Sequence, residues 1–309
     1  MRFVPPDGIT IGGLYRLTES TDAEFRMFLT RLSKWWGYVS ISPNKVDKPT
    51  RQSQAARLVR PTAGGLKALG AWRPLTGIIE ERWQKRFGEA NMKTLRESMG
   101  AFVRKFDRTL PESLPILGHD ALSKLTKRDY ASEGGGFPGL LSKILLAFAL
   151  EYESSMKFSL AIGSNLLRVV GPKGVLTRDL PQLSGIAKPG IDLAMNRLFF
   201  WDLAVPQTAP AARAWRRVTL TAEGKQVHER HCRTVEDLER RWQSSYGKAD
   251  IENIRALLEE VVGDPAPGQS RLFEGLKPYA DGWRAAVPKR EVLPHFPMIL
   301  HRGGFPDGS

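Results

Sequence analysis

Apolar positions at helical spacing form the same short pattern in two distant parts of the chain. In each part, two leucines three positions apart precede a polar turn and then three more apolar residues. This periodicity predicts two short helices joined by a tight turn, which we expect at Thr18–Asp22 and again at Ser184–Lys188. The apolar positions are Leu14, Leu17, Phe25, Leu29 and Leu32 in the first part, and Leu180, Leu183, Ile191, Met195 and Leu198 in the second.

A short apolar stretch and a basic loop follow each predicted helix pair. The loop is "SPNKVDKPTRQSQAARLVRP" in the first part and "PQTAPAARAWRRVTL" in the second. A returning strand with alternating character predicts a β-hairpin in both places. Two short helices followed by a basic hairpin indicate a winged helix-turn-helix.

The end of each predicted hairpin carries the sequence Thr-Ala-x-Gly. It stands in "RLVRPTAGGLKAL" and returns in "RRVTLTAEGKQV". Thr62 and Thr221 are suited to be helix N-caps, so each sequence predicts the start of a helix. A single long helix is expected after each threonine, through Trp83 in the first part and Trp242 in the second.

Two ungapped alignments relate the two parts, which we call copy one and copy two. Residues from Val4 to Val39 align at a shift of 166 positions, and residues from Thr62 onward align at a shift of 159. The difference predicts seven extra residues in copy one between Val39 and Thr62, in an exposed loop. We interpret the chain as a tandem duplication.

The combined pattern resembles the MarR family of bacterial winged-helix regulators. The resemblance covers Val170–Val262 well and roughly Val4–Val103. It implies a mainly α fold with small β-wings (α+β), in which two tandem winged helix-turn-helix domains form a pseudo-dimer through long helices. It also implies binding to palindromic double-stranded DNA, a small-molecule effector that often releases the DNA, and room for further self-association.

The predicted domain boundaries follow from the two copies. Gly139–Val169 supplies the leading helices that the family has before its winged helix, whereas copy one begins almost at the start of the sequence. Its own leading helices therefore either lie upstream or are replaced by the middle helices and the tail. We predict a first winged helix-turn-helix with long helices over residues 1–108, a linker over 109–136, a second such domain over 137–265, and a C-terminal helix with a Pro/Gly-rich tail over 266–309.

The charge of the chain favours a polyanionic partner. The formal net charge is +13 and the isoelectric point is near 10.0. Such an excess indicates nucleic acid or an anionic membrane surface, and the alternative is a generally basic proteome. The apolar runs are too short to span a bilayer, and one cysteine fits a reducing compartment. We therefore expect a cytoplasmic protein that does not bind membranes.

The second helix of each pair and the wing are the candidate DNA-binding elements. Arginine suits the guanine edge and asparagine the adenine edge in the major groove, while basic wing residues suit phosphates. The alternatives are solvated basic surfaces, or arginines held in ion pairs of their own domain. The candidates are Arg26, Thr30, Arg31, Lys45, Lys48, Arg51 and Arg57 in copy one, and Lys188, Asn196, Arg197, Arg213 and Arg216 in copy two.

Other chemistry finds less support in the sequence. His228, His231 and Cys232 share helical spacing, but copy one has no such residues and a fourth metal ligand is not evident. We expect no metal and no cofactor. We also find no Gly-rich phosphate loop and no convincing nucleophile–base arrangement, so the chain is not expected to be an enzyme. The tryptophans at helical spacing are expected mainly in the core.

A second function is compatible with the same pattern. A winged helix can act as a protein-interaction module, in which the basic charge serves only solubility.

Under DNA binding, the two copies would differ in base preference, because they carry different residues on the second helix of each pair. This difference predicts an imperfectly palindromic site.

Overall fold

The chain folds into two units, and each contains a helix pair, a three-stranded sheet and a threonine-capped helix in the same order. A computed structural model describes residues 1, 3–18, 22–43, 50–110, 136–156, 160, 163–171, 173–186, 188–208, 216–275, 291–292 and 295–296. Unit 1 consists of Met1–Met92, Arg108–Pro115 and Asp120–Ser142. Unit 2 consists of Lys93–Asp107, Ile116–His119 and Lys143–Ser309.

Unit 1 contains the winged helix of copy one, around five buried apolar residues. Of the core residues, Leu14 and Phe25 come from the two predicted helices, Val39 and Val59 from the sheet, and Val4 from the chain that precedes β1. The elements are β1 (Ile9–Thr10), α1 (Ile11–Thr18), α2 (Asp22–Thr30), a π-helical segment (Arg31–Trp35), β2 (Val39–Ile41), α3 (Arg51–Ala55), β3 (Leu58–Pro61), α4 (Ala63–Trp72), α5 (Leu75–Phe87) and the first turn of α6 (Glu89–Val103).

Unit 2 contains the winged helix of copy two and most of the long helices. It also includes α6 from Lys93 onward and α7 from Lys143 onward. Its elements are α7 (Phe137–Ser155), α8 (Ser164–Val169), β4 (Val175–Leu176), α9 (Leu180–Ser184), α10 (Lys188–Phe200), β5 (Ala204–Thr208), β6 (Arg216–Leu220), α11 (Ala222–Tyr246), α12 (Lys248–Val262) and a 3₁₀ turn (Arg271–Gly275).

The two sheets have the same strand order and the same central residue. The order is β1-β3-β2 in unit 1 and β4-β6-β5 in unit 2, and every pairing is antiparallel. Val59 and Val218 are each paired on both sides and are completely buried. The alternation of the returning strand therefore buries one valine at the same place in each copy.

A π-helical turn accommodates one extra residue at the end of the second helix in copy one. The N–H of Tyr38 donates to the carbonyl of Leu32, six positions back, whereas the N–H of Leu203 donates to the carbonyl of Leu198, five positions back. Tyr38 is therefore equivalent to Leu203, at a shift of 165 rather than 166. A single-residue insertion is what a π-helical turn absorbs.

This turn corrects the alignment of the two copies. Val39 faces Pro61, and Ala204 faces Leu220 in the same way, so Val39 is equivalent to Ala204 and not to Val205. The prediction that all seven extra residues lie in one surface loop is wrong. One lies in the π-helical turn, and the other six lie between β2 and β3.

The Thr-Ala-x-Gly sequence forms the same junction in both copies. The Thr62 hydroxyl oxygen accepts from the N–H of Gly65 at 3.1 Å, and the Thr221 hydroxyl oxygen accepts from the N–H of Gly224 at 2.9 Å. Each threonine also donates its hydroxyl and its N–H to two carbonyls that precede the second strand of its sheet. The predicted N-caps are confirmed, and each joins its helix to the chain entering the sheet.

The caps support a test of local stability. Replacing Thr221 by alanine removes both hydroxyl contacts, to Gly224 and to the Asp202 carbonyl at 2.7 Å. We expect the free energy of unfolding of unit 2 to fall by about 1–2 kcal/mol, measured by urea denaturation. Thr221→Ser keeps the hydroxyl and is the matched control. Equal losses in both variants would contradict a role for the cap.

The long helix of copy one is interrupted, unlike its counterpart in copy two. The sequence predicts one helix through Trp83, but α4 ends at Trp72 and α5 begins at Leu75. Pro74 occupies the N-cap of α5, because its missing N–H and its ring do not fit a helix interior. Copy two has no proline there, and α11 runs unbroken for 25 residues.

Aromatic residues hold the helices of unit 2 together. The Trp242 ring lies 5.4 Å from Phe102 on α6 and 5.4 Å from Phe148 on α7, centroid to centroid. Its indole N–H donates to Glu151 at 2.9 Å.

No helix in the described ranges has the length and apolar character needed to cross a bilayer.

Candidate nucleic-acid interface

The helix made of α2 and the π-helical turn presents a basic surface in copy one. Phe25 faces the core, while Arg26 and Thr30 are exposed. Arg31 is half-buried and its guanidinium lies over the Trp35 ring, 5.3 Å from the centroid. Asp22 and Glu24 lie in the first turn of this helix and the three basic residues follow them, so its formal net charge is +1 and its positive charge lies toward the C-terminal end.

Helix α10, the counterpart in copy two, contains two basic residues and one acidic residue, so its formal net charge is +1. Lys188 and Asn196 are exposed two turns apart, with Asp192 between them. The Lys188 ammonium lies 2.7 Å from the Asp192 carboxylate, so the two charges largely cancel. Arg197 is half-buried beside them.

Both helices expose aromatic residues near their C-terminal ends, which the sequence reasoning did not anticipate. Trp35 is 68% exposed, Trp36 is 50% exposed and Phe200 is 75% exposed. The expectation that the tryptophans lie in the core is correct for Trp242, which is buried, and wrong for Trp35 and Trp36. The available signal was the aromatic pair itself, since adjacent residues on a helix point about 100° apart and cannot both face one core.

The wing of copy one is not a simple hairpin. Helix α3 lies between β2 and β3, capped by Thr50, whose hydroxyl oxygen accepts from the Ser53 N–H at 3.1 Å. Arg51 opens this helix and is exposed. The predicted wing residues Lys45 and Lys48 lie outside the described residues.

Arg57 connects the two sides of this wing. Its Nε donates to the Ser42 carbonyl at 2.7 Å, and its Nη1 donates to Gln54 at 3.1 Å. The side chain is half-buried, so its guanidinium stabilises the connection between the strands. Its predicted contact with phosphate stays a prediction.

The wing of copy two is a hairpin, as predicted. Strands β5 and β6 pair over five residues, and Thr208 faces Arg216 at the last pair. The Arg216 side chain and all of Arg213 lie outside the described residues. Arg217, which faces Gln207, donates to the carbonyls of Lys173 and Gly174, both at 3.2 Å.

The histidines and the cysteine of "HERHC" have separate environments. A ring nitrogen of His228 lies 3.0 Å from the Leu167 carbonyl, and Nδ1 of His231 lies 2.9 Å from the Tyr152 hydroxyl. Cys232 is exposed. The helical spacing groups these side chains, but the two histidines contact different groups and Cys232 faces solvent.

Comparisons with known proteins leave the family open. No protein-family model matches the chain, and no curated protein matches it. A solved structure of NadR in complex with 4-hydroxyphenylacetate matches at 17% identity, over 43% of this chain and 96% of that one, with a TM-score of 0.31. Because so low a TM-score does not establish a shared fold, the assignment of a winged-helix arrangement rests on the chain's own strand order, helix pairs and capped helix starts.

Proposed function

We propose that this chain is a double-stranded DNA-binding transcriptional regulator of MarR type that reads an imperfect palindrome with two winged helices. The observation that carries the proposal is repetition. Each copy joins a helix pair, a three-stranded sheet and a threonine-capped helix in the same order. In a winged helix-turn-helix, the second helix of the pair enters the major groove.

The charge distribution supports nucleic acid as the partner. Arg26 and Lys34 are exposed in a stretch without acidic residues, in a chain of net charge +13. Asn196 supplies an amide suited to adenine on the corresponding helix of copy two. The two half-sites would therefore differ in base preference.

The single-chain pseudo-dimer is supported by the long helices. Helix α6 starts in unit 1, and from Lys93 it belongs to unit 2, where Phe102 packs against Trp242 and Tyr246. A helix pair of this kind joins the two subunits in the family that the sequence resembles. Two winged helices in one chain (each called a head below) are paired at any protein concentration, because they are covalently linked.

Selection of bound genomic fragments tests the proposal directly. We expect enrichment of a duplex with two unequal half-sites, bound with an affinity that falls by on the order of 10³ between ~50 and ~200 mM salt. The salt dependence is measured on the selected duplex by fluorescence anisotropy. Absence of any enriched duplex, or a flat salt profile, would overturn the proposal.

A double charge reversal on the second helix of copy one tests whether this helix binds DNA, as distinct from a general effect of net charge. The double variant Arg26→Glu, Lys34→Glu is expected to weaken duplex binding by roughly 100-fold and to lower the salt slope. Arg82 is an exposed residue of α5. The control Arg82→Glu, Lys85→Glu reverses two exposed charges on α5, so it has the same net charge as the first variant and should bind almost as the wild type does.

A protein-interaction module is the second candidate, and the exposed aromatic residues favour it. Most of the apolar surface of Trp35 and Phe200 stays exposed to water in the folded chain, which is typical of a site that binds a protein partner. Under this alternative, Trp35→Ala with Phe200→Ala abolishes capture of a protein partner, and the charge reversals leave that capture intact. Under the DNA-binding proposal, the charge reversals have the larger effect on duplex binding.

A further inference from the structure

A buried asparagine holds the backbone of the C-terminal segment in unit 2. Asn165 on α8 is completely buried. Its side-chain N–H donates to the Phe296 carbonyl at 2.8 Å, and its side-chain oxygen accepts from the Phe296 N–H at 2.9 Å. One amide side chain thus pairs with both backbone groups of one residue, as a neighbouring strand would.

The Phe296 ring is buried in unit 2 against a histidine of α11. It is 8% exposed, and its centroid lies 6.1 Å from that of the His231 ring on α11, nearly perpendicular. His231 is hydrogen-bonded at 2.9 Å to Tyr152 on α7. Helices α7, α8 and α11 therefore each provide one side chain to the place where the segment docks.

This combination is typical of peptide recognition. Hydrogen bonds to the main chain provide affinity, and a pocket for one side chain provides specificity. Burying an amide without hydrogen-bond partners destabilises the folded state, so packing alone does not explain an asparagine here. Residue 165 is suited to a chain segment that supplies both a backbone donor and a backbone acceptor.

We propose that the cleft formed by Tyr152, Asn165 and His231 is a receptor for the chain's own C-terminal segment, which docks through Phe296. Helix α8 packs against α9, α10 and α11, so docking braces the helix on which the head of copy two rests. Because α8 packs against α10, docking of the segment would also stabilise the position of α10, the helix that we propose binds DNA. This consequence, unlike the docking itself, rests on the proposed function.

Binding of a labelled peptide in trans tests the docking on the full-length chain. The probe is a fluorescein-labelled peptide of residues 291–300, and the chain carries Phe296→Ala so that its own segment no longer fills the cleft. We expect the peptide to bind this chain at least ~10-fold more tightly than the wild-type chain, in which the cleft is occupied. Phe305→Ala is the matched chain control and should bind no better than wild type.

Two further variants define the specificity of the cleft. The same peptide with alanine in place of Phe296 should bind at least ~10-fold more weakly, and so should the wild-type peptide with a chain carrying Phe296→Ala and Asn165→Ala. A folded Phe296→Ala chain that binds no peptide would overturn the proposal. Equal binding of the wild-type and alanine peptides would overturn it as well.

Hydrogen exchange gives a readout that does not depend on the added peptide. In the wild-type chain the Phe296 amide should exchange at least ~10-fold more slowly than in the Asn165→Ala chain. Asn253, an exposed asparagine on α12, provides the control Asn253→Ala, which should leave this protection unchanged. Equal exchange in wild type and Asn165→Ala would contradict a docked segment.

Duplex binding distinguishes the docking from its consequence. If docking braces the head of copy two, Phe296→Ala should weaken binding of the selected duplex by about 5-fold or more. An unchanged affinity would overturn the coupling. A chain that binds the peptide but no duplex would overturn the proposed function and leave the receptor cleft supported.

Discussion

Replacing Gly224 by alanine is expected to unfold the winged helix of copy two. A Cβ atom at this position would lie 1.8 Å from the Leu203 carbonyl oxygen and 2.8 Å from its carbonyl carbon. A Cβ atom has no rotamer with which to avoid a backbone carbonyl. The helix and the preceding chain would have to separate, which breaks the 3.1 Å hydrogen bond from the Thr221 N–H to Leu203. We expect a loss of about 4 kcal/mol in the free energy of unfolding.

The same contact exists in copy one, which also provides the control. A Cβ atom at Gly65 would lie 1.9 Å from the Tyr38 carbonyl oxygen, whereas one at Gly64 would meet its nearest atom at 3.7 Å. Gly65→Ala should destabilise unit 1 about as strongly. Gly64→Ala should leave it unchanged or stabilise it by about 0.5–1 kcal/mol, because alanine favours a helix. Copy two has Glu223 in the place of Gly64.

Hydrogen exchange followed by mass spectrometry measures these effects separately in each unit. Gly224→Ala should accelerate exchange along β6 and the start of α11, and Gly65→Ala along β3 and α4. A Gly224→Ala or Gly65→Ala chain with the same protection as Gly64→Ala would show that the close approach of carbonyl and helix is not required.

The stability of unit 2 is expected to fall by about 3 kcal/mol as the pH is lowered from 7 to 4, because of His231 alone. Burial, together with the neighbouring His228, His295 and Arg168, lowers the pKa of His231 from 6.5 to about 4, and burial contributes most. The ring also faces Tyr152, whose pKa burial raises above its usual range.

The sign follows from proton binding in the two states. Between about pH 6.5 and 4, the unfolded chain protonates residue 231 while the folded chain keeps it neutral. Stability is therefore complete above pH 6.5 and is lost progressively as the pH falls through this window. Protonation would place a positive charge close to that of Arg168.

Comparing the pH dependence of wild type and His231→Leu isolates this contribution. Urea unfolding followed by Trp242 fluorescence should show a steeper fall in stability between pH 7 and 4 for the wild type than for the variant. The half-buried His228 provides the control His228→Gln, which should keep most of the wild-type slope. Equal slopes in wild type and His231→Leu would mean that the pKa of His231 is the same in the folded and unfolded chains, which would contradict the prediction.

The features that the sequence predicted correctly depend on near neighbours. Apolar spacing placed the helix pairs, because the helical period requires contacts only three and four residues apart. Thr62 and Thr221 were identified as caps because the hydrogen bond that defines a cap spans three residues. The break at Pro74 was not predicted, although a proline in a helix interior is a local signal that ends a helix.

The candidate site was predictable in outline and not in detail. Alternation along the strand indicated a basic hairpin in each copy, but Arg57 binds the Ser42 carbonyl and α3 replaces a simple turn. These outcomes depend on which carbonyls the fold leaves within reach of a guanidinium. Residue type alone does not state whether an arginine binds its own backbone or a partner.

By itself, the sequence determined the two helix pairs, their capped successors and the basic character of copy one, since spacing, capping and charge are properties of short segments. Only the tertiary structure decided why Gly65 and Gly224 must be glycine, because the carbonyls that exclude a Cβ come from the chain entering the second strand of each sheet. It also decided where the C-terminal segment docks. Asn165 and Phe296 are 131 positions apart, and a contact of that separation exists only after the helices between them have packed.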